Sequence, residues 1–155
     1  MTATSGARIA EQPCFALYST VKAITRAYRP LLEPLGLTYP QYVVMMLLWE
    51  REGVDQRTLA TGARLEPATL TPVLQRLERQ GLLMRERSTV DERRLVITLT
   101  AAGRALQRTA AHVPEAMLCQ VGLRAEQEAA LREICAQIWT TLERDSDGDT
   151  AEGDA

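Results

Sequence analysis

A chain of 155 residues, 46% hydrophobic and 25% charged, has the length and composition of one ordinary globular domain. No apolar run approaches the ~20 residues that span a bilayer, and no basic stretch leads into an apolar one at the start, so a cytoplasmic protein without a membrane partner is expected. Three widely spaced cysteines suit neither a disulfide framework nor a zinc site, and the single histidine, His112, leaves no catalytic triad, so no metal or cofactor is expected.

The net charge of −2 hides an uneven distribution. Residues 145–155 hold five acids and no base; without them the chain has 18 basic and 15 acidic groups, a balance of +3. Of the 18 bases, 17 are arginine and one is Lys22. Arginine suits phosphate and base contacts, and GC-rich coding bias explains the same preference.

Taken in chain order, residues 1–10 are small and polar and read as a disordered start. A first helix over about 13–29 carries Cys14, Leu17, Tyr18, Val21, Ile24 and Tyr28 at helical spacing; Pro30 and Pro34 should break it, and Gly36 marks a turn. Pro40 fits the first turn of a second helix, and residues 42–49 are apolar on every side, as in a buried helix. Residues 57–64 read as a short helix with Gly62 close to its end. Pro67 then opens another, in which Leu70, Val73, Leu74 and Leu77 form a stripe at i, i+3, i+4, i+7, ended by Gly81. Two β-prone runs, 82–87 and 94–99, joined by a charged loop, predict a hairpin. Thr100 is an N-cap candidate, Pro114 should bend or end the following helix, and Gly122 is a further break. A last helix from about Ala125 aligns Leu131, Ile134, Cys135, Ile138, Trp139 and Leu142, and the acidic residues 145–155 read as a disordered tail.

This order predicts a mainly α fold with a small β-hairpin wing: a winged helix-turn-helix lobe over about 53–100, within a domain spanning 11–144. Helices over about 11–35 and 101–144 have nothing of their own to pack on and read as a dimerisation region, since a palindromic operator calls for a two-fold dimer. With the leucine stripe inward, Ala68, Thr69, Thr71, Pro72, Gln75 and Arg76 face outward, where their hydroxyl, amide, guanidinium and methyl groups suit base edges and phosphates. Pro72 is awkward there, because an interior proline costs a helix about 3 kcal/mol. At the wing tip Arg93 suits a narrow minor groove, and Asp91 is a poor DNA neighbour unless it holds Arg93 in place by a charge-assisted hydrogen bond.

Several stretches resemble the multiple-antibiotic-resistance regulator (MarR) family: Leu70-Thr71-Pro72-Val73-Leu74, Leu77-Glu78-Arg79-Gln80-Gly81-Leu82, Asp91-Glu92-Arg93 and Ile97-Thr98-Leu99-Thr100. The resemblance covers roughly residues 11–144. Cys14-Phe15-Ala16-Leu17-Tyr18-Ser19, Tyr28-Arg29-Pro30-Leu31-Leu32 and Gly36-Leu37-Thr38-Tyr39-Pro40-Gln41-Tyr42 resemble one branch, the organic hydroperoxide resistance regulators. It implies a repressor in which a reduced cysteine, here Cys14, keeps a homodimer on operator DNA with Tyr28 and Tyr39 contacting it. An organic hydroperoxide is the implied effector and Cys119 the implied resolving thiol. Pro13, where leucine is usual, and Glu66, where aspartate is usual, depart from the pattern without removing a reacting group.

The residues add their own chemistry. If Pro13 is the first helical residue, Cys14 lies beside unpaired N–H groups that favour a reactive thiolate. Tyr28, 14 residues on, is about 21 Å away along one helix, so a Tyr28–Cys14 contact is most simply made between subunits. Cys135 reads as core filler, as do Trp49 and Trp139, and His112 as a surface residue. The alternative is a regulator of the same fold released by a reversibly bound small aromatic or phenolic ligand. A thiol peroxidase is disfavoured by the absence of a Cys-x-x-Cys recycling motif, so no enzyme is expected.

Overall fold

The computed structural model describes residues 8–91 and 93–148, excluding the side chains of 145–148. Compact units divide the chain after Met117. In the first, a 3-10 turn (Ile9–Glu11) precedes α1 (Pro13–Leu32), a second 3-10 turn (Glu33–Leu35) and α2 (Tyr39–Glu50). Then come α3 (Gln56–Ala63), α4 (Pro67–Arg79), the strands β1 (Leu83–Arg87) and β2 (Leu95–Leu99), α5 (Ala101–Ala110) and the start of α6 (Val113–Val121). The second unit holds the end of α6 and α7 (Ala125–Gly148). The fold is mainly helical with a two-stranded hairpin wing following a helix-turn-helix.

Helix α2, apolar on every side over residues 42–49, is the organising element. Tyr42, Val44, Met45 and Leu48 are buried on more than one side of it, because α1, α3, α4 and α5 all pack against this helix. Around them close Leu32, Leu59, Leu70, Leu74, Leu77, Leu83, Ile97, Leu99 and Val113. Burying a leucine-sized side chain contributes roughly 1.5–3 kcal/mol, so this one cluster fixes the winged lobe.

Local signals explain most boundaries. Asp55 caps α3 by accepting the Thr58 N–H at 2.8 Å, and Thr100 caps α5 by accepting the Gly103 N–H at 3.0 Å. Helix α4 ends in a left-handed Gly81 (φ 71°), with Leu82 N–H returning to the Leu77 carbonyl at 3.0 Å. The strands pair antiparallel from Leu83 opposite Leu99 to Arg87 opposite Leu95. Val54 adds an isolated bridge to Ile97, which the sequence pattern does not announce.

Some boundaries differ from expectation. Pro30 does not break the first helix: α1 runs through it to Leu32. A proline in the final turn forfeits one backbone hydrogen bond, and burial of Leu32, 1% exposed, offsets that loss. Pro72 likewise sits inside an unbroken α4, held inward by three leucines at 0% exposure. The residue that closes α3 in the left-handed region is Arg64 (φ 53°). Helix α7 continues to Gly148, into the acidic stretch expected to be tail, because helix propagation adds one hydrogen bond for each further residue ordered. Most of the predicted N-terminal segment and residues 149–155 lie outside the described residues.

Two helices each carry large apolar side chains that stay exposed. On α1 these are Phe15, Tyr18 and Val21; on α7 they are Leu131, Ile134, Ile138, Trp139 and Leu142, all 38–61% exposed. Trp139, 38% exposed, and half-buried Cys135 lie on this apolar stripe of α7. Such faces suit burial against a second subunit.

Candidate nucleic-acid interface and effector region

Helix α4 presents two opposed faces. Leu70, Leu74 and Leu77 point inward, while Ala68, Thr69, Pro72, Gln75 and Arg76 are exposed together on the outer face. Thr71 is different. It is half-buried, its hydroxyl accepts a hydrogen bond from Gln56 Nε2 at 2.9 Å, and it donates to the Pro67 carbonyl at 2.9 Å. The Thr71 proton and one of its two acceptor sites are therefore engaged within the lobe, so the hydroxyl has no proton left to donate to a base.

The wing is built from backbone ties: Ser88 N–H donates to the Arg94 carbonyl at 2.8 Å and Arg94 N–H to the Asp91 carbonyl at 2.9 Å. Asp91 Oδ1 accepts the backbone N–H of Arg93 at 3.0 Å. This is the charge-assisted hydrogen bond through which Asp91 was expected to hold Arg93 in place, and it is made to the main chain of Arg93. Arg93 remains exposed at the tip. Its neighbour Arg94 turns back and pairs with Asp55.

Asp55 is held at about 2, below its usual value of 3.8, by hydrogen bonds from Thr58 and then Arg94. A lowered carboxylate contributes stability that is complete above the unfolded value and is lost as pH falls through the folded one. Its share should therefore persist to about pH 4 and vanish towards pH 2. A carboxyl carbon NMR titration of Asp55 should show a midpoint near 2; a midpoint at the ordinary aspartate value would refute the pairing. Glu52 is lowered for a similar reason, since Arg104 grips both its oxygens, at 2.8 and 2.7 Å, and ties α5 to the winged lobe.

The candidate sensor residues are placed as follows. Cys14 is the second residue of α1 after Pro13, exposed and unpaired. Tyr28 and Tyr39 meet across the α1–α2 junction with ring centroids 4.6 Å apart, and Tyr42 lies 6.0 Å from Tyr28. Burial, then the neighbouring Tyr39 and Tyr42, raises the Tyr28 hydroxyl above its usual value. Because α1 is continuous from Cys14 to Tyr28, the two do not meet within one chain. Cys119 is exposed in the last turn of α6. His112 is exposed, with Nδ1 2.9 Å from the Thr109 carbonyl oxygen. Trp49 donates to the Gly103 carbonyl at 2.9 Å.

Beside the tyrosines opens a cleft of about 490 Å³ lined by Leu32, Leu37 and Tyr39, with Arg29 and Glu33 from the α1 end and Arg76 from α4. Sequence reasoning did not find it, nor the roles of Asp55, Gln56 and Arg94. Asp55 carries an N-cap signal, but nothing local pairs it with a residue 39 positions away. Among the described residues no helix is long and apolar enough to cross a membrane, and no three His, Cys, Asp or Glu side chains gather where they would hold a metal.

Residues 37–95 match the MarR family. The chain is 38% identical, over 88% of its length and 90% of the relative's, to the organic hydroperoxide resistance transcriptional regulator of Bacillus subtilis (strain 168). Among solved structures it is similar to reduced AbfR bound to DNA, a protein from Staphylococcus epidermidis (32% identity, 88% of this chain and 96% of that one, TM-score 0.70). It is also similar to CouR from Rhodococcus jostii RHA1 bound to p-coumaroyl-CoA (27% identity, 84% and 94%, TM-score 0.76). With its helix-turn-helix and hairpin wing, the chain belongs to the MarR family: it is a non-catalytic, DNA-binding transcriptional regulator.

Proposed function

We propose that this regulator is a repressor that holds a two-fold operator and leaves it when an effector acts where α1 meets α2. In this reading Ala68, Thr69, Thr71 (through its methyl), Pro72, Gln75 and Arg76 enter the major groove. Arg93, on a turn shaped by Asp91, enters the minor groove. What supports it is the co-exposure of small and polar residues on the outer face of α4 beside an exposed wing arginine.

Two effector chemistries suit the α1–α2 region, each carried by its own observation. The cleft carries the first: a small aromatic or phenolic molecule, bound reversibly against Leu32, Leu37 and Tyr39. Arg76 lines that cleft and also stands on the outer face of α4, so an anionic group drawn to it would compete with DNA for one guanidinium. CouR, a similar protein, has been solved bound to p-coumaroyl-CoA, whose acyl group is phenolic.

Cys14 carries the second, and its relative is closer in sequence, 38% identical against 27%. The Cys14 thiolate attacks an organic hydroperoxide, the O–O bond breaks, and sulfenic acid and alcohol are formed. The Cys119 thiol then condenses with the sulfenic acid and expels water, leaving a disulfide two electrons more oxidised than the two thiols. A Tyr28 hydroxyl kept protonated is suited to stabilise the thiolate of a partner subunit.

One experiment separates them. Operator release is measured with cumene hydroperoxide and, separately, with p-coumarate, on wild type and Cys14→Ser. Release by hydroperoxide that is lost in Cys14→Ser and reversed by dithiothreitol establishes oxidation; a covalent dimer absent in Cys119→Ser would identify the resolving thiol. Release by p-coumarate that survives in Cys14→Ser and reverses on dilution establishes ligand binding. Cys14→Ser protein that still lets go of DNA with hydroperoxide overturns the thiol assignment.

A further inference from the structure

Three consecutive residues at the entrance to α3 touch three different parts of the winged lobe. Val54 bridges β2 at Ile97, with Ile97 N–H donating to the Val54 carbonyl at 2.8 Å. Asp55 pairs through Oδ2 with Arg94 at the base of the wing tip, while its Oδ1 caps α3. Gln56 donates to the Thr71 hydroxyl on α4. From this we propose that Asp55 and Gln56 are positioning residues for DNA binding: together they fix the separation between α4 and the wing, and so the discrimination between operator and other DNA. The inference rests on the reading that α4 and Arg93 contact DNA.

The wing and α4 form a two-point reader. Two points bind together with little loss only if their spacing is preset, because any freedom left in the hairpin must be surrendered on the duplex. Two short strands give the hairpin few constraints of their own. Arg94 supplies one: its backbone closes the wing loop and its side chain reaches back to α3, one residue from the exposed Arg93. Gln56 supplies the other. It occupies one acceptor site on the Thr71 oxygen while Pro67 takes the proton, so Thr71 cannot donate to a base and is narrowed towards its methyl, which prefers thymine. Neither side chain needs to touch DNA to act this way.

Asp55→Asn is the informative variant, since asparagine is as good an N-cap as aspartate and only the charge pairing with Arg94 is lost. The probes are a duplex selected by the wild-type protein from a random pool and the same duplex scrambled. Asp55→Asn should reduce the ratio of their affinities by up to about fivefold, the upper end for an exposed ion pair, with scrambled-duplex affinity equal or higher because one acid is gone. Gln56→Met should reduce the ratio too, and the loss should fall at base pairs contacted by α4. The decisive measurement is a cycle with Arg93→Ala. In that background Asp55→Asn should lose most of its effect, while Gln56→Met should keep its own.

An Asp55→Asn effect undiminished in the Arg93→Ala background, or a ratio unchanged while Arg93→Ala weakens operator binding, overturns the positioning role and leaves the DNA-contact reading standing. Silence of Arg93→Ala itself would remove the wing contact, and the proposal with it.

Discussion

Gly103→Ala should unfold or severely destabilise the protein. A methyl added at Gly103 would sit 2.0 Å from the backbone oxygen of Leu82 and 3.2 Å from Cδ2 of Leu99. The near neighbour is main chain, so no side-chain rotation relieves the contact; α5 must lift from the hairpin base. Lifting it would strain the Thr100 cap, whose hydroxyl also donates to the Gly81 carbonyl at 2.6 Å, and the Trp49–Gly103 hydrogen bond. Overpacking a tight site costs about 1–3 kcal/mol, and loss of a buried hydrogen bond adds about 1 kcal/mol. At roughly 2–4 °C per kcal/mol for a chain of this size, Tm should fall by about 10 °C. A melting curve that overlays the wild type would show that this crossing is looser than the geometry requires.

The second large effect is expected at Leu74→Ala. Leu74 lies mid-way along α4 at 0% exposure, between Leu70 and Leu77, which are equally buried. Truncating such a leucine costs about 2–5 kcal/mol, according to how far the cavity collapses. That is a large share of the roughly 5–15 kcal/mol that holds a typical domain together. The opposite face of α4 carries Thr69, Gln75 and Arg76. Operator affinity should therefore drop by about tenfold or more, although Leu74 points away from DNA, since 1.4 kcal/mol of misplacement already gives a factor of ten. Leu74→Met, which keeps the volume, should recover most of both losses. Urea unfolding and duplex titration on the same preparations would test this; full operator affinity in a destabilised Leu74→Ala would uncouple the two faces.

Much of the fold was legible because its signals are local. The leucine spacing on α4, the proline at its first position and Gly81 after its last fix that helix within a residue or two. The hairpin is equally plain from two β-prone runs around a charged turn. Pro30 misled because a proline's effect depends on its place in the helix: near the end of α1 it removes a single bond. The acidic composition around residue 145 misled because helix already formed in α7 propagates through residues that would not nucleate it.

By itself, then, the sequence determined which elements form, which faces of α4 and α1 are apolar, and that Cys14 starts a helix behind Pro13. Those properties depend on residues within one or two turns of each other, where spacing and propensity decide. Tertiary structure decided the rest. That the Thr71 hydroxyl accepts a hydrogen bond inside the lobe follows from Gln56, 15 positions earlier. That Arg94 faces α3 while Arg93 faces outward follows from Asp55, 39 positions away. The cleft joins residues from the end of α1 to Arg76 and Gln80. A side chain's partners at such separations are set by how the core packs α2 against its neighbours, and no periodicity along the chain encodes that geometry.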